Sequence, residues 1–138
     1  GIEHKVDILL APNEILQEKM KPIKPHAIVV DEAQFLTSEQ VEELYIITKK
    51  YDIPVLCYGL RCDFQMKGFE GSTRLLQLAD DIEELKTICQ CGAKATQNLR
   101  WVNKQPVFNG EQVVIDDHTQ VEYTGVCGKC YLKIRRKI

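Results

Sequence analysis

The 138 residues carry 18 Lys and Arg against 20 Asp and Glu, a formal charge of -2, so the overall balance offers no attraction to nucleic acid or to an anionic membrane. That length supports one ordinary domain, or a small α/β unit with a metal-stapled appendage. No apolar stretch approaches the roughly 20 residues that span a bilayer, and the composition reads as a soluble protein of a reducing compartment, most simply the cytoplasm.

Taken in chain order, Gly1-Ile2-Glu3 opens without an initiator Met, and residues 6–10 read as a buried strand. Asn13 is placed to cap a helix carrying Ile15, Leu16 and Met20, which Pro22 and Pro25 close. Ala27-Ile28-Val29-Val30 is β-branched, apolar and too short for a helix, suited to a central parallel strand. Thr37-x-x-Gln40 is a capping box, and the helix behind it puts Val41, Leu44, Tyr45 and Thr48 on one face. Pro54 ends that helix. Residues 55–60 form a second continuous apolar strand, and a third helix is expected from about Ser72 to Ala79. Strands and helices alternate up to residue 88, which predicts a parallel sheet with right-handed crossovers.

After residue 88 the character changes to short β-like pieces (98–102, 112–115, 121–123) separated by turn signals such as Asn109-Gly110. A boundary near Lys86 divides an α/β domain, 1–86, from a small β subdomain, 87–138. The subdomain holds Cys89-x-Cys91 and Cys127-x-x-Cys130, with Gly92 after the first pair and Gly128 inside the second. Paired thiols at such spacing are the layout of a split tetrathiolate zinc site, which closes residues 92–126 into a loop. Glycines beside the pairs suit turns that aim backbone amides at sulfur. Buried or redox thiols are the competing explanation, with Cys57 and Cys62 as two further thiols of ordinary placement. His118 lacks metal-hook spacing. The basic run Lys133–Lys137 reads as a solvated terminus.

Ile28-Val29-Val30-Asp31-Glu32 has the pattern of a Walker B strand. Apolar residues carry the backbone into a sheet and deliver acids at its carboxyl end, where open α/β sheets bind ligands. In such sites the Asp holds Mg²⁺, usually through water, and a following Glu can take a proton from an attacking hydroxyl. Taken alone, the same pattern also arises wherever a strand reaches solvent.

Four segments supply context: Asp31-Glu32-Ala33-Gln34-Phe35; Tyr58-Gly59-Leu60-Arg61-x-Asp63-Phe64; Phe69-x-Gly71-Ser72; and Leu85-Lys86-Thr87-Ile88-Cys89-x-Cys91-Gly92. In this order and spacing the chain resembles, from about Val6 to Tyr131, the type II thymidine kinases, the P-loop and zinc-containing kind, and most closely their bacterial members. The resemblance implies a P-loop kinase α/β domain followed by a zinc-ribbon-like lasso subdomain. It also implies transfer of the γ-phosphoryl of ATP to the 5′-hydroxyl of thymidine or deoxyuridine. On that footing Glu32 is the general base, and Asp31, Glu32, Ala33 and Gln34 belong to the ATP and Mg²⁺ site. Leu60, Phe64, Thr96 and Tyr123 would surround the nucleoside. Gln112, Val113, Val114, Ile115 and Asp116 would bind the base through main-chain groups. Cys89, Cys91, Cys127 and Cys130 would hold a structural zinc that pins the lasso. Thymidine triphosphate would act as a feedback inhibitor and the intact family member would be a homotetramer, without nucleic-acid or membrane partners.

Two departures accompany the resemblance. No Gly-x-x-x-x-Gly-Lys-Ser/Thr loop occurs in these residues, so the chain is expected to be an N-terminally truncated form. Such a form would be nearly inactive for want of a phosphate cradle. The lasso has Val113-Val114-Ile115-Asp116-Asp117 where family members commonly carry Gly-Gly after Val-Val-Ile. The alternative reading is a zinc-ribbon module for nucleic acid or protein, without catalysis. A thiol redox protein built on Cys89-x-Cys91 would leave the second pair idle.

Overall fold

The computed structural model describes residues 5–114 and 118–137. They fall into two compact units: residues up to Leu60 together with Phe69–Asp80, and Arg61–Gly68 together with the chain from Asp81 onward.

The first unit contains α1 (Leu16–Met20), β1 (Ile28–Val30), a 3-10 turn (Ala33–Phe35), α2 (Ser38–Tyr51), β2 (Val55–Cys57) and α3 (Glu70–Leu78). The strands pair in parallel, as the alternation of elements predicts, with Ile28 opposite Val55 and Val30 opposite Cys57. Successive side chains on a strand point to opposite faces. Ile28, Val30, Val55 and Cys57 therefore turn to a core of Leu16, Ala33, Leu36, Val41, Leu44 and Ile47. Val29 and Leu56, at the intervening register position, lie on the other face and are exposed, Val29 at 67%. Burial pushes the Cys57 thiol up to about 11, so it stays protonated at neutral pH.

Helix α2 begins as its capping box requires. Thr37 Oγ1 accepts from Gln40 N at 3.2 Å, and Gln40 Oε1 accepts from Thr37 N at 3.0 Å. The same Gln40 amide donates to the carbonyls of Ala11 and Glu14, at 2.8 and 3.0 Å, and so pins the loop before α1. The helix closes on Asp52 in the left-handed region, φ 54°, and Pro54 follows. Its buried face is Gln40, Val41, Leu44 and Ile47; Tyr45 is exposed.

Three expectations for this unit are corrected. Residues 6–10 form no strand, and Val6 and Leu9 are exposed: apolar β-branched residues make a strand only where a neighbouring ladder takes their backbone groups. Asn13 is not a cap, since Ile15 occupies that position without a side-chain hydrogen bond. The second strand ends at Cys57, because Tyr58 and Leu60 turn away to meet the corner after β1, where Tyr58 O accepts from Ala33 N at 2.8 Å.

The second unit is antiparallel. A short ladder pairs β3 (Thr87–Ile88) with β4 (Lys94–Ala95) around the first cysteine pair. A three-stranded sheet then runs β6 (Gln105–Val107), β5 (Gln97–Val102), β7 (Val121–Val126), and α4 (Gly128–Arg135) follows. Asn103 and Lys104, at φ 48° and 64°, make the two-residue left-handed turn that matches strand twist between β5 and β6. The core is Cys89, Leu99, Val126, Cys127 and Tyr131, with Trp101, Phe108 and Ile134 packed on it. The basic segment is helical as far as Arg135, because Tyr131 and Ile134 anchor one side of α4 in that core. Residues 112–114 form no strand. No helix among the described residues is long and apolar enough to cross a membrane.

Gly71 fixes the corner after β1. A Cβ on Gly71, near the start of α3, would lie 2.5 Å from Ala33 O, 2.7 Å from Leu36 O and 2.9 Å from Gln34 O. These neighbours are backbone and cannot swing aside. Gly71→Ala is expected to destabilise the protein by about 3 kcal/mol in urea unfolding. Gly125→Ala, whose added carbon meets only ordinary contacts at 3.6 and 3.8 Å, should change stability by under about 0.5 kcal/mol.

Candidate active-site segment and metal centre

Strand β1 hands the chain to Asp31 and Glu32, both exposed. Glu32 sits in the left-handed region at φ 52°, ψ 40°, a conformation that costs a residue with a Cβ about 1–2 kcal/mol. Its surroundings determine it. Ala33 N donates to Tyr58 O, Phe35 N donates to Glu32 O at 3.1 Å, and Glu32 N donates to Asp31 Oδ1 at 2.9 Å. Ala33 is fully buried and Gln34 is 2% exposed. Gln34 Nε2 donates to Glu32 Oε2 at 2.5 Å, and its Oε1 accepts from Leu60 N at 3.3 Å. The Leu60 carbonyl accepts from Ser72 Oγ, while the Leu60 side chain is half-exposed. Asp31, Glu32, Ala33, Gln34 and Leu60 thus come together in the first unit, with two carboxylates outermost.

In the second unit the sulfurs of Cys89, Cys91, Cys127 and Cys130 all lie within 4.8 Å of one another. Cys91 and Cys127 are 3.7 Å apart, close to the roughly 3.8 Å between sulfurs tetrahedrally bound at 2.3 Å around zinc. Thiolates at this spacing form a group able to hold a metal ion, and the donor set fits zinc. The first hook is a tight turn in which Gly92 N donates to Cys89 O at 2.8 Å and Gly92 takes φ 90°, a true glycine position. Gly128 differs: it is the first residue of α4, and an added Cβ would meet open space. The second hook is instead shaped by Cys127, whose sulfur caps α4 by accepting from Cys130 N at 3.4 Å. Backbone amides of Cys91 and Cys127 hold the Cys89 thiol down to about 6. The amide of Cys130 likewise lowers Cys127. Donating its S–H to the sulfurs of Cys127, Cys91 and Cys89 pushes Cys130 up to about 12. Without a cation the four share protons; a bound cation would displace them.

The same unit carries an arrangement that the sequence did not disclose. Arg100, on β5, is 2% exposed. It donates to Tyr123 Oη at 2.9 Å, to Glu111 O at 2.6 Å and to Gln112 O at 2.7 Å. Its guanidinium lies 3.6 Å from the centroid of the Phe64 ring. Phe64 is buried and Tyr131 Oη donates to its carbonyl at 2.5 Å. Asp63, also buried, accepts from Gln65 N, Lys67 N and Gln112 Nε2 at 2.8, 2.9 and 2.9 Å. Phe64, Gln112 and Tyr123 are therefore brought together around one guanidinium. Thr96 and Val113 and Val114 are exposed and outside that cluster. Ile115 and Asp116 lie outside the described residues. The available signal was Arg100 inside a strand: a charge in an apolar strand invites a search for its partners.

A family profile described as thymidine kinase matches residues 5–131. The chain is 46% identical over 121 residues to a thymidine kinase of Zymomonas mobilis, covering 87% of this chain and 62% of that protein. It is 50% identical over 105 residues to a thymidine kinase of Chromobacterium violaceum, covering 75% and 56%. For a thymidine kinase of Streptococcus gordonii the identity is 47% over 116 residues, covering 83% and 60%. The chain thus spans about three fifths of the length of these curated relatives.

Elemental analysis of the purified chain is expected to find one zinc per molecule. Cys127→Ser, which removes a thiolate donor while its hydroxyl can still cap α4, should abolish it. Arg100→Met leaves two carbonyls and a phenol without their donor and is expected to cost about 3 kcal/mol. Fluorescence of Trp101, the neighbouring residue, should follow that unfolding, and Arg100→Lys should recover only part of the loss because a point charge cannot fork.

Proposed function

The chain belongs to the thymidine kinase family, and from that premise we propose that its residues serve transfer of the γ-phosphoryl of ATP to the 5′-hydroxyl of thymidine or deoxyuridine. The observation that carries this reading is the Glu32 carboxylate, exposed at the carboxyl end of β1 and held in a strained, over-determined backbone conformation. Strain of this kind persists only where the surroundings enforce it, and it gathers at functional sites. Glu32 takes the proton of the 5′-hydroxyl as that oxygen bonds to the γ-phosphorus, and ADP leaves with the electrons of the broken bond. Asp31, one residue earlier and also exposed, would hold Mg²⁺, which would neutralise charge on the phosphates of ATP.

The second unit supplies the surface for the base. Arg100 fixes the Phe64 ring and the Tyr123 hydroxyl; the family resemblance adds Leu60, Thr96 and residues 112–116 as nucleoside contacts, of which 115 and 116 lie outside the described residues. Zinc at the four cysteines is structural: it ties both ends of residues 92–126 and lowers the entropy lost when that loop orders over substrate. The functional division then falls near residue 86, with the base-bearing kinase portion in 1–86 and the lasso in 87–138. A cytoplasmic location, feedback inhibition by thymidine triphosphate and, for the intact family member, a homotetramer complete the proposal.

Thymidine at high micromolar concentration is expected to raise the melting temperature of the chain by at least about one degree, with no comparable effect from a single-stranded oligonucleotide. Stabilisation by the oligonucleotide alone would sink the nucleoside reading. A polypeptide of these 138 residues, having no glycine-rich phosphate loop, should show almost no ATP-dependent thymidine phosphorylation. In any longer form that carries such a loop, Glu32→Gln should lower kcat by about 10²–10⁴-fold and leave thymidine binding within about twofold.

A further inference from the structure

Gln34 sits behind Glu32, and the family resemblance would group it with the ATP contacts. Its burial points elsewhere. At 2% exposure, with its nitrogen on Glu32 Oε2 at 2.5 Å and its oxygen on Leu60 N at 3.3 Å, the amide has both ends occupied inside the first unit. The direction of the amide is forced by its partners. A carboxylate can only accept, so nitrogen must face Glu32; a backbone N–H can only donate, so oxygen must face Leu60.

We infer that Gln34 is a positioning residue: a buried amide strut that aims the Glu32 carboxylate and references it to the backbone of Leu60. This rests on the reading of Glu32 as the general base. Three further observations make the strut specific. Gly59 is required by it, since a Cβ there would lie 2.7 Å from Gln34 Oε1 and 2.9 Å from Gln34 N. Gly71 closes the other side, where a Cβ would lie 2.9 Å from Gln34 O. Leu60 is itself held, its carbonyl accepting from the buried Ser72 hydroxyl. One carboxylate oxygen is therefore tied through one amide to a residue anchored by α3, which restricts rotation of an otherwise exposed side chain. General-base catalysis needs that restraint, because a misplacement of about 1 Å can cost on the order of 100-fold in rate.

The test is read in the intact 138-residue chain by NMR, with the Glu32 carboxyl assigned from its disappearance in Glu32→Gln. In the wild type the Gln34 side-chain NH₂ protons should be shifted downfield and protected from solvent exchange. Both signatures should weaken in Glu32→Gln, whose neutral amide is a poorer acceptor than a carboxylate. Gln34→Met, of similar length without the amide, should free the Glu32 side chain, read as rotamer-averaged side-chain couplings where the wild type shows one rotamer. An exchanging Gln34 amide indifferent to Glu32→Gln would overturn the inference, and so would a Gln34→Met chain with a lower melting temperature and unchanged Glu32 couplings. The wild-type measurement decides the matter even where a variant fails to fold. The two readings separate cleanly: if Glu32→Gln leaves turnover of an active longer form intact, the base assignment fails while the strut stands. If Glu32→Gln abolishes turnover and the Gln34 amide is free, the base assignment stands and the strut fails.

Discussion

The close approach of backbone to backbone at the corner after β1 is the constraint on which the first unit depends. Ala33, Gln34 and Leu36 present their carbonyls to α3 at distances that no side chain at position 71 could tolerate. Once α3 is seated there, the backbone from Val30 to Leu36 has one path, and that path puts Glu32 in the left-handed region. The penalty of about 1–2 kcal/mol is offset by contacts that exist only in this arrangement: Ala33 wholly buried, its amide on Tyr58 O, and the Gln34 amide satisfied at both ends. A glutamate standing alone at a strand end would have rotamer freedom and full hydration. Here its backbone and one carboxylate oxygen are both specified.

The second unit solves a different problem with two fasteners. Residues 92–126 hold the three-stranded sheet and the connections between its strands, and bringing the ends of so long a stretch together is entropically costly. A cation shared by four thiols would close it at its ends, and closing a loop of that size stabilises by about 4 kcal/mol in the chain-entropy picture. Arg100 closes it from within by gathering the carbonyls of Glu111 and Gln112 and the Tyr123 hydroxyl onto β5. Asp63 repeats the device through the Gln112 side chain. The charge of Arg100 is met among the described residues by dipoles and a π face, which suits guanidinium because it is weakly hydrated and planar. Lysine could satisfy neither the fork nor the stack.

Features governed by near neighbours in the chain were legible in the sequence. The capping box at Thr37 and Gln40, the apolar run of β1 and its acidic exit, and the paired cysteines are local patterns with local physics, and each stands where its pattern puts it. What escaped notice depends on partners far along the chain. Residues 6–10 have strand composition and join no ladder among the described residues. Tyr45 follows the helical period, yet Ile47 takes the buried place because the opposing surface, and not the period, selects the face. Gln34 and Arg100 show their structural part only when Leu60, in the one case, and Glu111, Gln112 and Tyr123, in the other, fold against them. Gly128 was read as a turn glycine because it lies between two cysteines, although the turn is made by a sulfur cap on α4.

The buried polar groups whose partners the sequence did not disclose, Gln34 in one unit and Arg100 in the other, share a physical logic. A buried amide or guanidinium costs several kcal/mol when its hydrogen bonds are missing, so it tolerates only the arrangement that satisfies every donor and acceptor. Apolar packing at the same place would be as stable and less selective, because it admits many side-chain rotations at similar energy. Where a carboxylate must point one way, or an aromatic ring must lie at one angle, the steep penalty of an unsatisfied polar group is the more useful force. That is why the corner bearing Glu32 and the cluster bearing Phe64 and Tyr123 are built on polar anchors, while the helix α2 that supports the first unit is held by Val41, Leu44 and Ile47.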